Sequence, residues 1–147
     1  MALKDFNKGT YYCWYDAAHD SGISNYSTVT SEAFGSGATN TATMIEKWNT
    51  SAYGKQNDNK TYKDMWGEIQ GEVNNGWFVP SRGEWSAFGY NLGITKSNYP
   101  TYGLSNYCWA SSLSSDYRAW IALFSSVGSV NNDTLLSHNS VRLSVTF

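Results

Sequence analysis

The sequence predicts an α+β domain in which helices pack on small antiparallel sheets and the N- and C-terminal strands pair. Three patterns predict it: a β-rich aromatic segment opens the chain, helical spacings fill its middle, and an alternation of period two runs through its last third. A length of 147 residues suits one domain spanning 1–147. A chain of that size buries roughly two-thirds of its unfolded surface, enough for a core without obligatory cross-links.

Thr10 to Tyr15 is rich in residues that suit a pleated surface and reads as the first strand. Asp16 to Gly37 is dense in Ser, Thr, Asn and Gly and reads as loop. Asn40 then stands where a helix cap belongs, with Met44, Ile45 and Trp48 on one helical face behind it. After a polar connector from Gly54 to Asn59, Tyr62, Met65, Trp66, Ile69 and Val73 make one apolar stripe, stopped at Asn74-Asn75-Gly76. Trp77-Phe78-Val79 is a short apolar strand ended by Pro80. Ser81 and Glu84 have capping-box spacing for a third helix, whose stripe is Trp85, Phe88 and Leu92 and whose stop is Gly93.

From Tyr107 the period changes. Trp120, Ala122 and Phe124 alternate with Ile121 and Leu123, and Val141, Leu143, Val145 and Phe147 alternate with Arg142, Ser144 and Thr146. Placing the aromatics inward turns Ile121 and Leu123 outward. The C-terminal strand is expected to pair with the segment near Tyr11.

Composition excludes several classes. Aromatic residues make up 16% and charged residues only 15%, the reverse of a disordered chain. A net charge of -2 gives no basic face for nucleic acid. No apolar run approaches the roughly 18 residues of a membrane span. Met1-Ala-Leu-Lys4 has no apolar stretch behind its charge and does not read as a signal peptide, so the protein stays where it is made or has lost a leader. Cys13 and Cys108 have no metal-binding spacing, and His19 and His138 are too few for a metal cluster. The two cysteines fit either a disulfide or two separate buried thiols.

The last third lacks four residue types. Residues 97–147 contain no Lys, Glu, Gln or Met, whereas the first 96 hold 7 Lys, 5 Glu, 2 Gln and 3 Met. Strands and loops are somewhat poorer in these helix formers, but that accounts for only part of the gap. Codons AAC and AAT randomised at their adenines encode fifteen residue types and never Lys, Glu, Gln, Met or Trp. Every residue from Leu113 to Ser140 except Trp120 belongs to the permitted set. Its Tyr, Ser, Asn and Gly content also suits a recognition surface, where Tyr gives rigid contact area and the others adaptable hydrogen bonds.

These residues carry a family resemblance. Trp77-Phe-Val-Pro-Ser81-Arg-Gly-Glu84, followed by Tyr107-Cys-Trp-Ala-Ser-Ser112, Ala119-Trp120 with Phe124 and Gly128, and Val141-Arg142, resembles the signature of a bacterial and viral C-type lectin-like superfamily. That superfamily includes formylglycine-generating-enzyme-like domains. With the codon pattern, the chain is similar to the variable proteins of diversity-generating retroelements, over about residues 40–147. Cys108 and Leu143 depart from the usual pattern. The resemblance implies a C-type lectin-like fold with a ligand-binding region at about 107–147. It makes Trp109, Ser111, Ser112, Trp120, Phe124, Gly128 and Arg142 fixed scaffold. The candidate variable, ligand-binding residues are Ser115, Asp116, Tyr117, Arg118, Ile121, Leu123, Ser125, Ser126, Asn131, Asn132, Asp133, Leu135, Leu136, His138 and Asn139. They are expected to be exposed and to converge on one face, with Trp109 and Trp120 largely buried. The implied ligand is a protein or other macromolecule on a target cell, met from a virion or cell surface, without cofactor or membrane insertion.

Enzymatic readings fare worse. In formylglycine-generating enzymes paired cysteines perform the oxidation, but here neither cysteine has a base beside it in sequence. Glu84 is better explained as a cap than as a general acid. The Glu-Pro-Asn, Gln-Pro-Asp and Trp-Asn-Asp triplets of calcium-dependent lectins are absent, and Val130 to Asp133 offers one carboxylate where a calcium site needs more. Gly35-Ser-Gly37 is a loose match to a phosphate loop and reads better as an approach to a helix. The competing reading is an invariant adhesive or structural surface domain of the same fold.

Overall fold

The computed structural model describes residues 1–16, 22–50 and 63–146. Among them lie five α-helices and two small antiparallel sheets, a mixed α+β arrangement. His19, the connector 54–59, Tyr62 and Phe147 lie outside the described residues. No helix among the described residues is long and apolar enough to cross a membrane.

Helix α1 is one turn, Tyr26–Val29. Helix α2, Gly37–Asn49, starts earlier than its sequence suggests. Ser36 is the N-cap residue, and Asn40 lies a full turn inside, buried. A helix interior tolerates Asn when its amide is satisfied from outside. Here Asn40 Oδ1 accepts from Ser31 N at 2.8 Å and Nδ2 donates to Ser31 O at 2.7 Å, with the Ser111 and Ser112 hydroxyls at 3.3 and 3.4 Å. Asn40 is therefore a tie between helix, loop and sheet, not a cap.

The stripe of the next helix is buried as expected at Met65, Trp66 and Ile69, but the helix is divided into α3, Met65–Glu68, and α4, Gln70–Val73. Gly67 and Gly71 weaken helix propensity here. Gly67 is also pressed against the Trp48 ring, which a Cβ would meet at 2.6 Å. Strand β1, Trp77–Phe78, leads through Pro80 to α5, Arg82–Asn91. Both halves of the capping box form: Glu84 N donates to Ser81 Oγ at 3.2 Å and Ser81 N donates to Glu84 Oε2 at 2.6 Å. Gly93 ends the helix at φ +61°. Trp85 is buried and Phe88 half-buried, but Leu92 is exposed because it is the C-cap residue and lies past the last turn. A 3-10 turn at Tyr99–Tyr102 follows.

Strands β2 (Cys108–Ser115), β3 (Arg118–Ala122) and β4 (Val130–Thr134) form the larger sheet in the order β2-β3-β4. One face carries Trp109, Leu113, Ala119 and Ile121 into the main core with Trp14, Met44, Met65, Trp66 and Ile69. Three buried indoles, two in this core and Trp85 on the opposite face, donate to main-chain carbonyls: Trp14 to Ala110 at 2.8 Å, Trp85 to Trp109 at 3.1 Å and Trp109 to Tyr12 at 2.7 Å. The opposite face carries Cys108, Ala110 and Ala122, with Phe124 just beyond β3, onto Trp85, Ile94 and Leu104.

The chain ends lie together, but not as the expected pair of strands. Residues 10–15 form isolated bridges, Tyr12 to Asn139 and Cys13 to Asp64. The C-terminal strand is only β5, Ser144–Val145, and its partner is β1. The N-terminal segment follows the C-terminal one through Ala2 N to Leu143 O at 2.8 Å and Phe6 N to Val141 O at 2.7 Å. The reason is Arg142. It points inward, fully buried, where Nε donates to Asp5 Oδ1 at 2.7 Å, Nη1 to Ala2 O at 2.7 Å and Nη2 to Gly103 O. Both sides of residues 141–144 are consequently covered, so the alternation does not mark an exposed side.

Candidate ligand-binding surface

Coverage of the second sheet face stops partway along β3. Helix α5 and the loop after β3 seal its Ala122 end: Phe124 packs edge-on against Trp85 at 6.1 Å, and Gly89 and Gly128 bring the loop backbone onto the helix. The Arg118 end stays open. The register sets Arg118 opposite Thr134 and Trp120 opposite Asn132, so these four share that open face.

Trp120 is half-buried, not the core anchor expected of it, because α5 begins only at Arg82 and reaches the indole with its first residue. The Arg82 guanidinium lies 4.5 Å from the centre of the ring. Trp120 Nε1 donates to Glu32 Oε1 at 2.8 Å, and Arg82 Nη1 lies 3.4 Å from Glu32 Oε2. Arg118 Nη1 donates to Asn132 Oδ1 at 3.1 Å.

The expected inward set holds at Ala122 and Phe124, which are buried on the second face, but the set expected to point outward is covered too. Ile121 is buried with Ala119 in the main core, and Leu123 is half-buried against it. The α2, α3 and N-terminal side chains supply that cover. Leu135 and Asn139 are also buried, contrary to expectation. Leu135 N donates to Tyr117 O at 3.1 Å and its carbonyl accepts from Trp14 N, while Asn139 exchanges main-chain bonds with Tyr12. These three side chains cannot touch a ligand.

The other candidates fall in three places. At the Arg118 end, the β2–β3 turn with Ser115, Asp116 and exposed Tyr117 lies against the turn after β4, where Leu136 and His138 are exposed. The Tyr117 ring rests on Gly22, where a Cβ would meet it at 2.8 Å. Ser125 and Ser126 are exposed at the opposite end, beyond about 13 Å of strand at ~3.3 Å per residue. Asn131 and Asp133 sit across from Ile121 and Ala119, on the other side of the sheet at its edge. The expected single face is therefore one end of the sheet, and Ser125, Ser126, Asn131 and Asp133 lie apart from it.

Trp109, Ser111, Ser112, Phe124, Gly128 and Arg142 are all buried. Ser111 and Ser112 occupy an irregularity in β2 where the ladder shifts. Ser111 N donates to Pro80 O at 2.9 Å, and Ser112 Oγ donates to Ser31 O at 2.7 Å while accepting from Arg82 N at 3.0 Å. Sequence reasoning passed over Glu32, Arg82 and Asp5. Arg82 had a local signal, the position just inside the Ser81 cap; Glu32 and Asp5 had none.

Other chemistry finds little purchase. Cys13 and Cys108 are buried thiols with no disulfide between them. Burial, reinforced by the Asp5 carboxylate, pushes the Cys108 thiol well above its ordinary range, which keeps it protonated and a poor nucleophile. Asp133 accepts from Thr134 N at 2.8 Å, Ser137 Oγ at 2.7 Å and Asn139 Nδ2 at 3.3 Å, so it organises its own turn. No group of three His, Cys, Asp or Glu side chains among the described residues could hold a metal ion. A cavity of about 230 Å³ between Ala2, Lys4, Phe6, Glu72, Trp77 and Leu143 lies against the N-terminal segment, away from the Trp120 face.

These features define a mixed α+β domain with a half-open, aromatic and polar sheet face. No protein-family model, curated protein sequence or solved structure matches the chain.

Proposed function

We propose that the chain is a non-catalytic recognition module of C-type lectin-like fold, whose exposed C-terminal surface is diversified by a retroelement and binds a macromolecule on a target cell. The observation that carries the reading is the run of residues 97–147 without Lys, Glu, Gln or Met. That run supplies β2, β3, β4 and the turns between them, including the exposed side chains Tyr117, Arg118, Leu136 and His138. Residue types that adenine randomisation reaches include those exposed side chains, while of the two Trp in the run, which it cannot reach, Trp109 is fully buried and Trp120 half-buried. Display on a virion or cell surface follows from such a role.

A surface of this kind needs roughly 800 Å² per partner, with Tyr and Arg contributing most of the binding energy. Tyr117 and Arg118 are exposed residues of those types at that end of the sheet. Asp133 and Asn139 support the competing reading of an invariant adhesive domain at their own positions, since each is committed to bonds within the fold. Gene context tests the proposal. A reverse-transcriptase gene beside this one, with a near-copy of the segment encoding residues 107–147 that differs at adenines, is the expected result. A locus with neither rejects diversification.

A further inference from the structure

The open sheet face holds a group of side chains that is fixed in place yet still wet. Arg82 and Glu32 retain 42% and 41% of their side-chain exposure while holding the Trp120 ring from its face and from its N–H. Arg118, two residues before Trp120 on the same face of β3, reaches across to Asn132, the cross-strand partner of Trp120. Among the described residues it makes no ion pair, and its bond to Asn132 uses one of five donors in a rigid fork. One guanidinium therefore lies over the half-exposed indole, paired with Glu32, and a second stands on the same sheet face, bonded to the residue opposite the ring. Among these three charged side chains one positive charge is left over, with Asp116 two residues from Arg118 in the adjoining turn.

From this arrangement we infer a carboxylate-binding subsite, centred on Trp120 and built by Arg82, Glu32 and Arg118, that takes an acidic segment of a protein ligand. The inference rests on the reading of this face as the recognition surface. The fork of Arg118 matches a carboxylate bidentately, and the ring beside it supplies apolar cover for the attached methylene groups. One surplus charge suits a monoanionic carboxylate better than a phosphate dianion. Part of the subsite is constant by construction. Trp is outside the set that adenine randomisation yields, and Arg82 and Glu32 precede the segment concerned. Variants would keep the Trp120, Arg82 and Glu32 platform and exchange Arg118 and Asn132, so the preference for acid belongs to this variant.

The test follows the Trp120 indole N–H by nitrogen-15 NMR, assigned by its loss in Trp120→Phe. Blocked tetraglutamate is titrated against blocked tetraglutamine, inorganic phosphate and free N-acetylneuraminic acid. The subsite predicts a saturable shift with tetraglutamate alone, weakened by added salt. It also predicts about tenfold weaker binding in Arg118→Gln, the loss of one charge-assisted contact, with an otherwise unchanged amide spectrum. Equal shifts with tetraglutamine, preference for phosphate or the sugar acid, or no saturation would each overturn it. Saturable tetraglutamine binding would overturn the carboxylate while leaving the face a recognition surface. Variation among natural copies that avoids this face would overturn the surface without altering the titration.

Discussion

Replacing Asp5 with Ala removes the carboxylate that neutralises Arg142. Both side chains are sealed, at 2% and 0% exposure, and Arg142 Nε loses its 2.7 Å acceptor. Nη1 and Nη2 keep the carbonyls of Ala2 and Gly103, so the cation stays buried with two neutral partners and no counter-charge. Breaking a buried pair on one side costs about 3–5 kcal/mol. Ser105 N also loses its acceptor, Asp5 Oδ2 at 3.0 Å. The loss is expected in the upper half of that range. Equilibrium urea unfolding measures it, as a midpoint lowered by about 2 M if the slope is roughly 2 kcal/mol/M. Asp5→Asn, which retains an acceptor, should fall between, and exposed Lys4→Ala should change stability by less than about 0.5 kcal/mol. A loss below about 1 kcal/mol for Asp5→Ala would refute the reasoning, because Arg142 would then be reaching water and the N-terminal segment would not be held by it.

Trp109→Ala should cost about 3–5 kcal/mol by the same assay, whereas half-buried Trp120→Ala should cost well under half as much; equal losses would place both indoles in the core. Ser81→Ala removes the cap of α5 and a bond to Ala33 O, and should lower stability by about 1–2 kcal/mol in thermal unfolding. At pH 8 a thiol reagent should leave native Cys13 and Cys108 unmodified and titrate two thiols once urea is added. Because the folded Cys108 pKa is raised, its stabilising effect is complete below the unfolded thiol value of about 8.5 and is lost as pH rises beyond it; stability independent of pH from 8 to 10 would contradict this.

Elements governed by local rules were legible in the sequence. Ser81 and Glu84 defined the start of α5 within four residues, and the spacing of Met65, Trp66 and Ile69 identified a buried stripe. What required distant partners was not. A period of two divides β3 into two sets, but it does not say which set faces the larger core; size alone suggested Trp120, whereas Arg82 and Glu32 hold that ring at the rim. Asn40 resembles a cap until Ser111 and Ser112 arrive from 71 and 72 residues away. Arg142 looked like the polar phase of a strand because its counter-charge lies 137 residues earlier. Within the candidate surface, the burial of Ile121, Leu135 and Asn139 was not legible because it depended on the N-terminal segment folding over them.

The most direct test of the central claim is the sequence of this gene in many natural copies, read codon by codon. Diversified recognition predicts substitutions concentrated at adenines within residues 107–147. They should fall on exposed or half-exposed positions such as Tyr117, Arg118, Asn132, Leu136 and His138, with Trp109, Trp120, Phe124 and Arg142 unchanged. Substitutions spread evenly along the chain, or equally frequent at Ile121 and Tyr117, would contradict it.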